Sequence, residues 1–286
     1  MPPSLCPLGH IAHTRDLIHG GWSRATLAAA VASGDIRRLR RGVYGCPHAD
    51  ADLVQAALLG GRLACLSVLR RHGVWSGHDT RLHVELHRHS SVRNRQPGRV
   101  RLHYRAPRFA PDSPWIACRS QALWEAIHCL DTENALAAVE SAIQTGFLSY
   151  GQVMRVVAYA PRRLEWGLRR LVVDSGSGNE TIVRLRLLQA GYRVVAQGRV
   201  PGLGRQDLVV EDCIALEIDS RRWHDVERIP EDDSRDLQSE GLGRHVLRIS
   251  PRHIHETWPH TLAVIDRTVA DARRARDERR ERPVEL

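Results

Sequence analysis

The chain has 286 residues, of which 42% are hydrophobic and 26% charged, a balance typical of a globular rather than a disordered protein. Its net charge of +9 favours a polyanionic partner such as nucleic acid. The sequence contains no lysine, however, and a compositional bias toward arginine raises the charge without selection for binding. We find no apolar stretch that could span a membrane and no secretion signal, so we expect a cytoplasmic protein without a membrane partner.

The cysteines are scattered, and none of them forms a Cys-x-x-Cys pair. Scattered cysteines in a cytoplasmic chain are usually small core residues. We therefore expect neither a disulfide framework nor a zinc site. The six are Cys6, Cys46, Cys65, Cys118, Cys129 and Cys213.

A small helical unit is predicted at residues 14–33. Thr14 and Ser23 are suited to cap two short helices, and a pair of glycines breaks the chain between them. Gly34 can end the second helix, because glycine readily adopts the left-handed backbone found at that position. Two short helices in tandem favour a helix-turn-helix.

A basic hairpin follows at residues 36–44, with two short strands around a turn at Arg41 and Gly42. The helices and the hairpin together predict a minimal winged helix-turn-helix over residues 1–46, which would bind DNA. The alternative is a plain helical hairpin whose arginines are only solvated. The candidate nucleic-acid-binding side chains are Arg37, Arg38, Arg40 and Arg41.

Residues 47–173 are predicted to form a mixed, mostly helical middle domain. We expect a helix at residues 51–72, alternating strands at Leu82–Leu86 and Val100–Tyr104, and helices again from residue 115, broken near Asp131, Gly146 and Pro161. His83, His87 and His89 lie at alternate positions and would share one face, which is one pattern of a metal site. We favour chance clustering instead, because the chain has 16 histidines and no fourth ligand is evident.

A linker is predicted at residues 174–178, and short apolar strands follow it. The elements beyond it are predicted in the order α-β-β-β-α-β, in a domain that spans residues 178–270. The last residues, 271–286, are nearly all charged and predict a frayed helix or tail. The predicted elements are a helix at Asn179–Ala190, strands at Tyr192–Ala196, Gln206–Val210 and Cys213–Asp219, a helix from Pro230 to near Gly241 or Gly243, and a strand at His245–Ile249.

Acidic residues gather on these strands. Glu217 and Asp219 are two apart, so they leave the same face of one strand, and a tight turn brings Asp207 level with Glu217. Carboxylates that converge in an apolar setting repel one another, and a divalent cation relieves the repulsion. Hard oxygen ligands suit Mg²⁺ or Mn²⁺, and Glu180 could complete the site from the preceding helix. The alternative is that Asp207 and Glu217 only form ion pairs with nearby arginines, namely Arg205, Arg221 or Arg222.

The segment from residue 177 to residue 249 resembles the PD-(D/E)XK nuclease superfamily, whose common core has this α-β-β-β-α-β order. Within the superfamily it is similar to the branch of very-short-patch-repair endonucleases, which includes many bacterial proteins of unknown function. The resemblance implies an α+β protein with a restriction-endonuclease-like core. It rests on a Ser-Gly-x-Glu-Ser-like element at residues 177–181, the strand aspartate Asp207, a Glu-x-Asp…His element at Glu217, Asp219 and His224, an Asp-x-x-Arg-Asp element at residues 232–236, and Gly241 with residues 246–248.

The resemblance implies that Asp207 and Glu217 hold Mg²⁺ or Mn²⁺, with the carbonyl oxygen of Ile218 as a further ligand. Asp219 occupies the position of the superfamily's usual lysine. His224 matches the histidine that lies near the scissile phosphate, and would act there as general acid or base. With the lysine missing, His224 or a second metal ion would have to activate water.

Two further residues receive implied roles. Glu180 belongs to the implied catalytic set, and Arg235 either contacts phosphate or forms an ion pair on its helix. The chain departs from the family pattern at Gln206, where a proline usually precedes the strand aspartate, and at Ser220, where a glycine usually follows the Glu-x-Asp element. Both changes bear on how a nucleotide would approach.

The N-terminal residues 34–44 are similar to the wing of AbiEi-type antitoxins, which are transcriptional regulators of toxin–antitoxin pairs. Two main hypotheses follow: a metal-dependent DNA endonuclease with an N-terminal DNA-binding arm, or a non-catalytic DNA-binding regulator of the antitoxin type. RNA stays open as the nucleic acid. A cognate toxin or a second copy of the chain is the candidate protein partner, and an interaction module that never touches DNA is a third hypothesis.

Overall fold

The computed structural model of the protein describes residues 5, 10–90, 92, 98–104, 106–174, 176–200, 204–219, 239–241 and 244–281. The chain divides into two compact units, each made of two segments. Unit 1 comprises residues 1–129 and 151–159, and unit 2 comprises residues 130–150 and 160–286. Both units contain helices and small sheets, so the predicted mixed α and β class is confirmed.

The first half of the chain alternates short helices and short strands. Helix α6 belongs to unit 2, whereas nearly all of α7 returns to unit 1. The elements are β1 (Ile11–His13), α1 (Thr14–His19), α2 (Arg24–Ala32), β2 (Arg37–Arg40), β3 (Val43–Gly45), α3 (Ala51–Leu58), β4 (Arg62–Leu63), α4 (Cys65–Arg71), β5 (Leu82–Glu85), β6 (Val100–His103), α5 (Arg119–Cys129), α6 (Thr132–Gln144) and α7 (Tyr150–Val157).

The predicted helices and basic hairpin at the N-terminus are confirmed. Ser23 caps α2 by accepting a hydrogen bond from the backbone N–H of Thr26 at 3.0 Å, and Gly34 ends it with a φ of +81°. Thr14 is the first helical residue of α1 rather than its cap. A strand that was not predicted, β1, pairs antiparallel with β3, so the hairpin is part of a three-stranded sheet in the order β1-β3-β2. Apolar residues that include Leu17, Trp22 and Leu27 form the core beneath it.

The single helix predicted at residues 51–72 is wrong, because it is interrupted between α3 and α4. Gly60 adopts a left-handed backbone with φ +84°. Gly61 lies so close to the next strand that a Cβ there would be 2.3 Å from the carbonyl oxygen of Glu85. The interruption forms β4, which pairs with β5, and β5 pairs with β6 in a second three-stranded sheet, order β4-β5-β6. The two strands predicted here are confirmed, and they run parallel.

Unit 2 is built on a five-stranded sheet in the order β12-β13-β11-β10-β7, in which β11 and β13 are parallel and the other neighbours antiparallel. Beyond α7 the elements are a 3-10 helix (Arg162–Leu164), α8 (Glu165–Leu168), α9 (Gly178–Gln189), β7 (Val194–Ala196), β8 (Arg199–Val200), β9 (Gly204–Arg205), β10 (Leu208–Val210), β11 (Ile214–Ile218), β12 (Ser239–Gly241), β13 (Arg244–Ile249), α10 (Pro251–His255) and α11 (Trp258–Glu281).

One prediction in unit 2 needs correction. The predicted helix from Pro230 was expected to end near Gly241 or Gly243, but Ser239–Gly241 form strand β12 against β13, and residues 220–238 lie outside the described residues. Residues 271–281, predicted as part of a frayed helix or tail, are helical and continue α11. No helix among the described residues has both the length and the apolar character that crossing a membrane requires.

A buried ion pair joins α6 to α9 in unit 2. Glu140 and Arg184 are 2% and 3% exposed, and the guanidinium of Arg184 donates to the Glu140 carboxylate. That carboxylate also accepts from the backbone N–H of Val172 at 2.8 Å and from the hydroxyl of Thr181 at 2.6 Å. Because a buried charge is costly unless it is paired and hydrogen-bonded, the donors on Thr181 and Arg184 hold α9 against α6.

Candidate active site

The first residue of the candidate site, Glu180, lies in the first turn of α9. Ser177 caps this helix, since its hydroxyl oxygen accepts a hydrogen bond from the backbone N–H of Glu180 at 3.2 Å. The side chain of Glu180 is buried, although acidic residues in the first turn of a helix are usually solvated. The positive, N-terminal end of the α9 dipole therefore lies next to a carboxylate that is shielded from water.

Two hydrogen-bond donors hold the Glu180 carboxylate. It accepts hydrogen bonds from the backbone N–H of Gly176 at 2.8 Å and from the side-chain amide of Gln197 at 2.6 Å. A Cβ at Gly176 would lie 2.6 Å from the carboxylate, so a larger residue there would displace the Glu180 side chain from its present position. Burial raises the pKa of Glu180, and the negative charge of Asp207 raises it further. Glu180 and Asp207 are therefore electrostatic neighbours.

Asp207 lies immediately before β10, in the position that the sequence predicts. The register pairs Leu208 with Leu216, so one further step places Asp207 opposite Glu217 across the antiparallel pair. Its carboxylate accepts a hydrogen bond from the backbone N–H of Ile218 at 2.7 Å. This contact fixes the aspartate against the end of β11.

Glu217 and Asp219 flank Ile218 but do not join the other two acids. The Glu217 carboxylate is half-exposed and accepts from the guanidinium of Arg248, its register partner on β13, at 2.9 Å. Asp219 is exposed, and its backbone N–H donates to Ile249 at 2.9 Å. In the ranges that the structure describes, these acids form no group of three with ligand atoms within 4.8 Å of one another.

The structure thus places Glu180 and Asp207 next to each other, and the backbone N–H of Ile218 binds Asp207. Glu217 lies opposite Asp207 in the strand register, but its carboxylate pairs with an arginine. Glu217 forms an ion pair, but its partner is Arg248 and not one of the arginines named in the alternative, of which Arg221 and Arg222 lie outside the described residues. His224 and Arg235 lie outside the described residues. We call the set of Glu180, Asp207, Glu217 and Asp219 the acidic edge.

The four candidate DNA-binding arginines all lie on the hairpin β2–β3 or its turn, and all are exposed. A β-bulge at Leu39 shifts the register between Arg38 and Arg40, which twists the strand locally. None of the four forms an ion pair with a carboxylate in the described part of the chain. They are Arg37, Arg38, Arg40 and Arg41.

Sequence reasoning missed one cluster of metal-ligating side chains, which lies in unit 1. Of the three histidines considered together, His83 belongs to it, whereas His87 and His89 lie beyond the end of β5 and are exposed. The partners of His83 come from other elements and lie far from it in the chain, so spacing carried no signal. The cluster consists of Cys65, His83, His103 and Cys129.

The protein is a mixed α and β protein of two units, one of which carries an acidic edge on a five-stranded sheet. The sequence matches no protein-family model, and no curated protein matches it.

Proposed function

We propose that unit 2 is a metal-dependent nuclease domain that hydrolyses DNA phosphodiester bonds, with Asp207 and Glu217 as its metal-binding carboxylates. The observation that carries the proposal is the pair of neighbouring acids, Glu180 and Asp207, of which Glu180 is buried and has a raised pKa. Perturbed carboxylates gather at catalytic sites more often than elsewhere. The resemblance of residues 177–249 to very-short-patch-repair endonucleases supports the same assignment.

The residues of the acidic edge suit Mg²⁺ or Mn²⁺. Two carboxylates that repel each other in a partly buried position are stabilised by a divalent cation, and oxygen atoms are the ligands that these ions prefer. Asp207, Glu217 and the carbonyl oxygen of Ile218 would hold the ion. A bound ion would lower the pKa of water and neutralise charge on the phosphate.

Hydrogen-bond donors around the acidic edge hold Asp207 and Glu180 in place, and Glu180 is the candidate for proton transfer. The Ile218 N–H fixes Asp207, and the donors on Gly176 and Gln197 fix Glu180. Because burial and the charge of Asp207 raise its pKa, Glu180 keeps its proton to a higher pH than a solvated glutamate does, which suits a proton-transfer role. Arg248 is 71% exposed, so releasing Glu217 from this ion pair costs little.

The test is cleavage of plasmid, single-stranded and mismatched DNA, and of RNA, by the purified full chain with Mg²⁺ or Mn²⁺. Asp207→Asn and Glu217→Gln should each lower the rate by about a hundredfold or more, because several kcal/mol of charge stabilisation is lost. Asp212→Asn is the matched control, an exposed acid at the opposite end of the same hairpin. No metal-dependent cleavage of any substrate, or an equal loss in the control, would refute the proposal.

A second candidate function, a non-catalytic DNA-binding regulator of the antitoxin type, is favoured by the four exposed arginines of the hairpin. A cognate toxin or a second copy of the chain would then be its partner. Gel shifts against the gene's own upstream region and against an unrelated duplex separate the two functions. Sequence-selective binding that the Arg40→Ala, Arg41→Ala variant loses, without any cleavage, would favour the regulator.

A further inference from the structure

Four side chains of unit 1 bring two sulfur and two nitrogen atoms together. One ligand atom from each lies within 4.8 Å of all the others. The ring nitrogens His83 Nδ1 and His103 Nε2 are 3.0 Å apart, and the thiol of Cys129 lies close to Cys65 and His83. The side chains come from four elements, α4, β5, β6 and α5, so the cluster ties the second sheet to the helices that pack on it.

The backbone explains why these side chains meet. In the parallel pair β5–β6, His83 lies opposite Arg101 and Glu85 lies opposite His103, so both histidines leave the same face of the sheet. Cys65 begins α4 with a φ of +48°, a left-handed backbone that is uncommon for a residue with a side chain and gathers at functional sites. Cys129 is the last residue of α5.

An outer carboxylate orients one of the histidines. Asp79 Oδ2 lies 3.3 Å from His83 Nε2, so a proton on Nε2 leaves the lone pair of Nδ1 facing the other ligands. Asp79 is itself held by the guanidinium of Arg81, with contacts of 2.9 Å and 2.6 Å. A carboxylate behind a histidine is the usual second layer of a protein zinc site.

We propose that Cys65, His83, His103 and Cys129 bind one zinc ion. Two sulfurs and two imidazole nitrogens are a donor set that zinc accepts in tetrahedral geometry and that Mg²⁺ does not favour. Tetrahedral Zn–S and Zn–N bonds place the ligand atoms about 3.3 to 3.8 Å apart, which the observed cluster reaches with small side-chain movements. Two thiolates also balance the charge of the ion, which suits a site in which Cys65 and His83 are fully buried.

The site is structural rather than catalytic, because four protein ligands leave no position for water or substrate. The cavity beside His103 and Cys129 has a volume of about 60 Å³. That volume is small beside the roughly 300 to 1,000 Å³ of pockets that take small-molecule ligands. The ion would stabilise unit 1, and it is independent of the metal proposed for the acidic edge.

Metal analysis of the full chain, purified under reducing conditions without chelators, tests the proposal. We expect one zinc per chain, removal by a strong chelator with a lower melting temperature, and recovery with Zn²⁺ but not with Mg²⁺. Reloading with Co²⁺ should give the intense visible bands of tetrahedral cobalt and a sulfur-to-cobalt charge-transfer band. These readouts need no enzymatic activity.

Variants locate the ion within the chain. Cys129→Ser and His103→Gln should lose the cobalt spectrum, whereas Cys118→Ser and His87→Gln, on a cysteine and a histidine outside the cluster, should keep it. Asp79→Asn removes the outer carboxylate without touching a ligand, so it should weaken zinc binding by about 10- to 100-fold. Asp52→Asn, on an exposed aspartate of α3, is its control and should leave the affinity unchanged.

Three results would overturn the proposal. The first is a chain without bound metal that takes up neither Zn²⁺ nor Co²⁺, in which case the cluster is a hydrogen-bonded network. The second is a disulfide between Cys65 and Cys129 in protein kept under reducing conditions, detected by mass spectrometry of peptides. The third is a wild-type cobalt spectrum in Cys129→Ser, which would place the ion elsewhere. Loss of folding in one variant does not affect the wild-type metal content or its reloading.

Discussion

The carboxylate of Asp207 accepts a hydrogen bond from the backbone N–H of Ile218 at 2.7 Å, across the pair of strands that carries the acidic edge. The contact gives one aspartate two roles, because it satisfies a buried N–H and orients a proposed metal ligand. The two roles can be separated, since asparagine keeps an acceptor oxygen and lacks the charge.

Asp207→Ala should therefore be less stable than Asp207→Asn. Alanine leaves the N–H of the buried Ile218 without its partner, at a cost of about 1 to 3 kcal/mol. Urea unfolding of both variants measures the difference, and both should lack nuclease activity. Equal stability would show that water or a rearranged side chain replaces the aspartate.

Glu180→Gln should change how stability depends on pH. The folded-state pKa of Glu180 is raised, first by burial and then by the charge of Asp207, so the folded chain holds a proton that the unfolded chain has lost. Wild-type stability should then fall as pH rises from the unfolded pKa of about 4.3 through the raised folded pKa. The glutamine variant should lack this decline.

Urea unfolding at several pH values between 4 and 7, in steps of about half a pH unit, measures this fall of stability with pH. Glu256→Gln removes an exposed carboxylate and serves as the control. Parallel pH profiles for wild type and Glu180→Gln would contradict the assignment of a raised pKa to Glu180.

Breaking the buried ion pair between α6 and α9 should destabilise unit 2 strongly. Glu140→Gln or Arg184→Met alone leaves one buried charge uncompensated, which costs about 3 to 5 kcal/mol. The double variant should cost less than the sum of the single variants, because no lone charge remains. Chemical denaturation of the four proteins gives the coupling energy, and additive losses would mean that the pair contributes nothing as a pair.

The arginines of the hairpin should set the salt dependence of DNA binding. Each phosphate contact that is lost lowers the slope of log K against log salt by about 0.9, so Arg40→Ala with Arg41→Ala should lower it by about twice that amount. Fluorescence anisotropy with a labelled duplex at several salt concentrations measures the slope. Arg169→Ala, which removes an arginine paired with Glu165 in unit 2, should leave it unchanged.

Gly61→Ala should destabilise unit 1, since its Cβ would lie 2.3 Å from the backbone oxygen of Glu85 and 2.7 Å from the side chain of Val84. A backbone atom cannot move aside as a long side chain can, so overpacking of about 1 to 3 kcal/mol is expected. Gly98→Ala meets nothing within 4 Å and is the control. Thermal unfolding monitored by circular dichroism compares them.

Much of the acidic edge could be predicted from the sequence, because it depends on local geometry. Glu211 and Asp212 adopt left-handed backbone with φ +52° and +56°, which makes the tight turn that the sequence predicts. A tight turn and the two-residue period of a strand then determine that Asp207 lies level with Glu217. The orientation of the Glu217 side chain could not be predicted, because its partner Arg248 lies on a strand that is distant in sequence.

The parts that were missed depend on long-range pairing. Strand β1 is three residues long and has no alternation to mark it, and it exists because β3 offers it hydrogen bonds. The cluster of cysteines and histidines has no short spacing, since a parallel strand pair and two helix ends assemble it. The predicted long helix failed at Gly61 for the same reason, because only the later strand β5 shows why that position must be a glycine.

The assignment of residues 151–159 to unit 1 bears on how the chain is made. A ribosome would release residues 1–129 first, and this segment would have to wait for α7 before its unit is complete. By then α6 would have left the ribosome, but Arg184, the buried partner of Glu140 on α6, would not yet have been synthesised. Val153 and Val156 are fully buried, so cutting the gene at residue 129 would remove side chains from the interior of unit 1. The smallest fragment that completes unit 1 therefore includes α6, whose apolar face has no partner until unit 2 is present. Such a fragment is expected to aggregate.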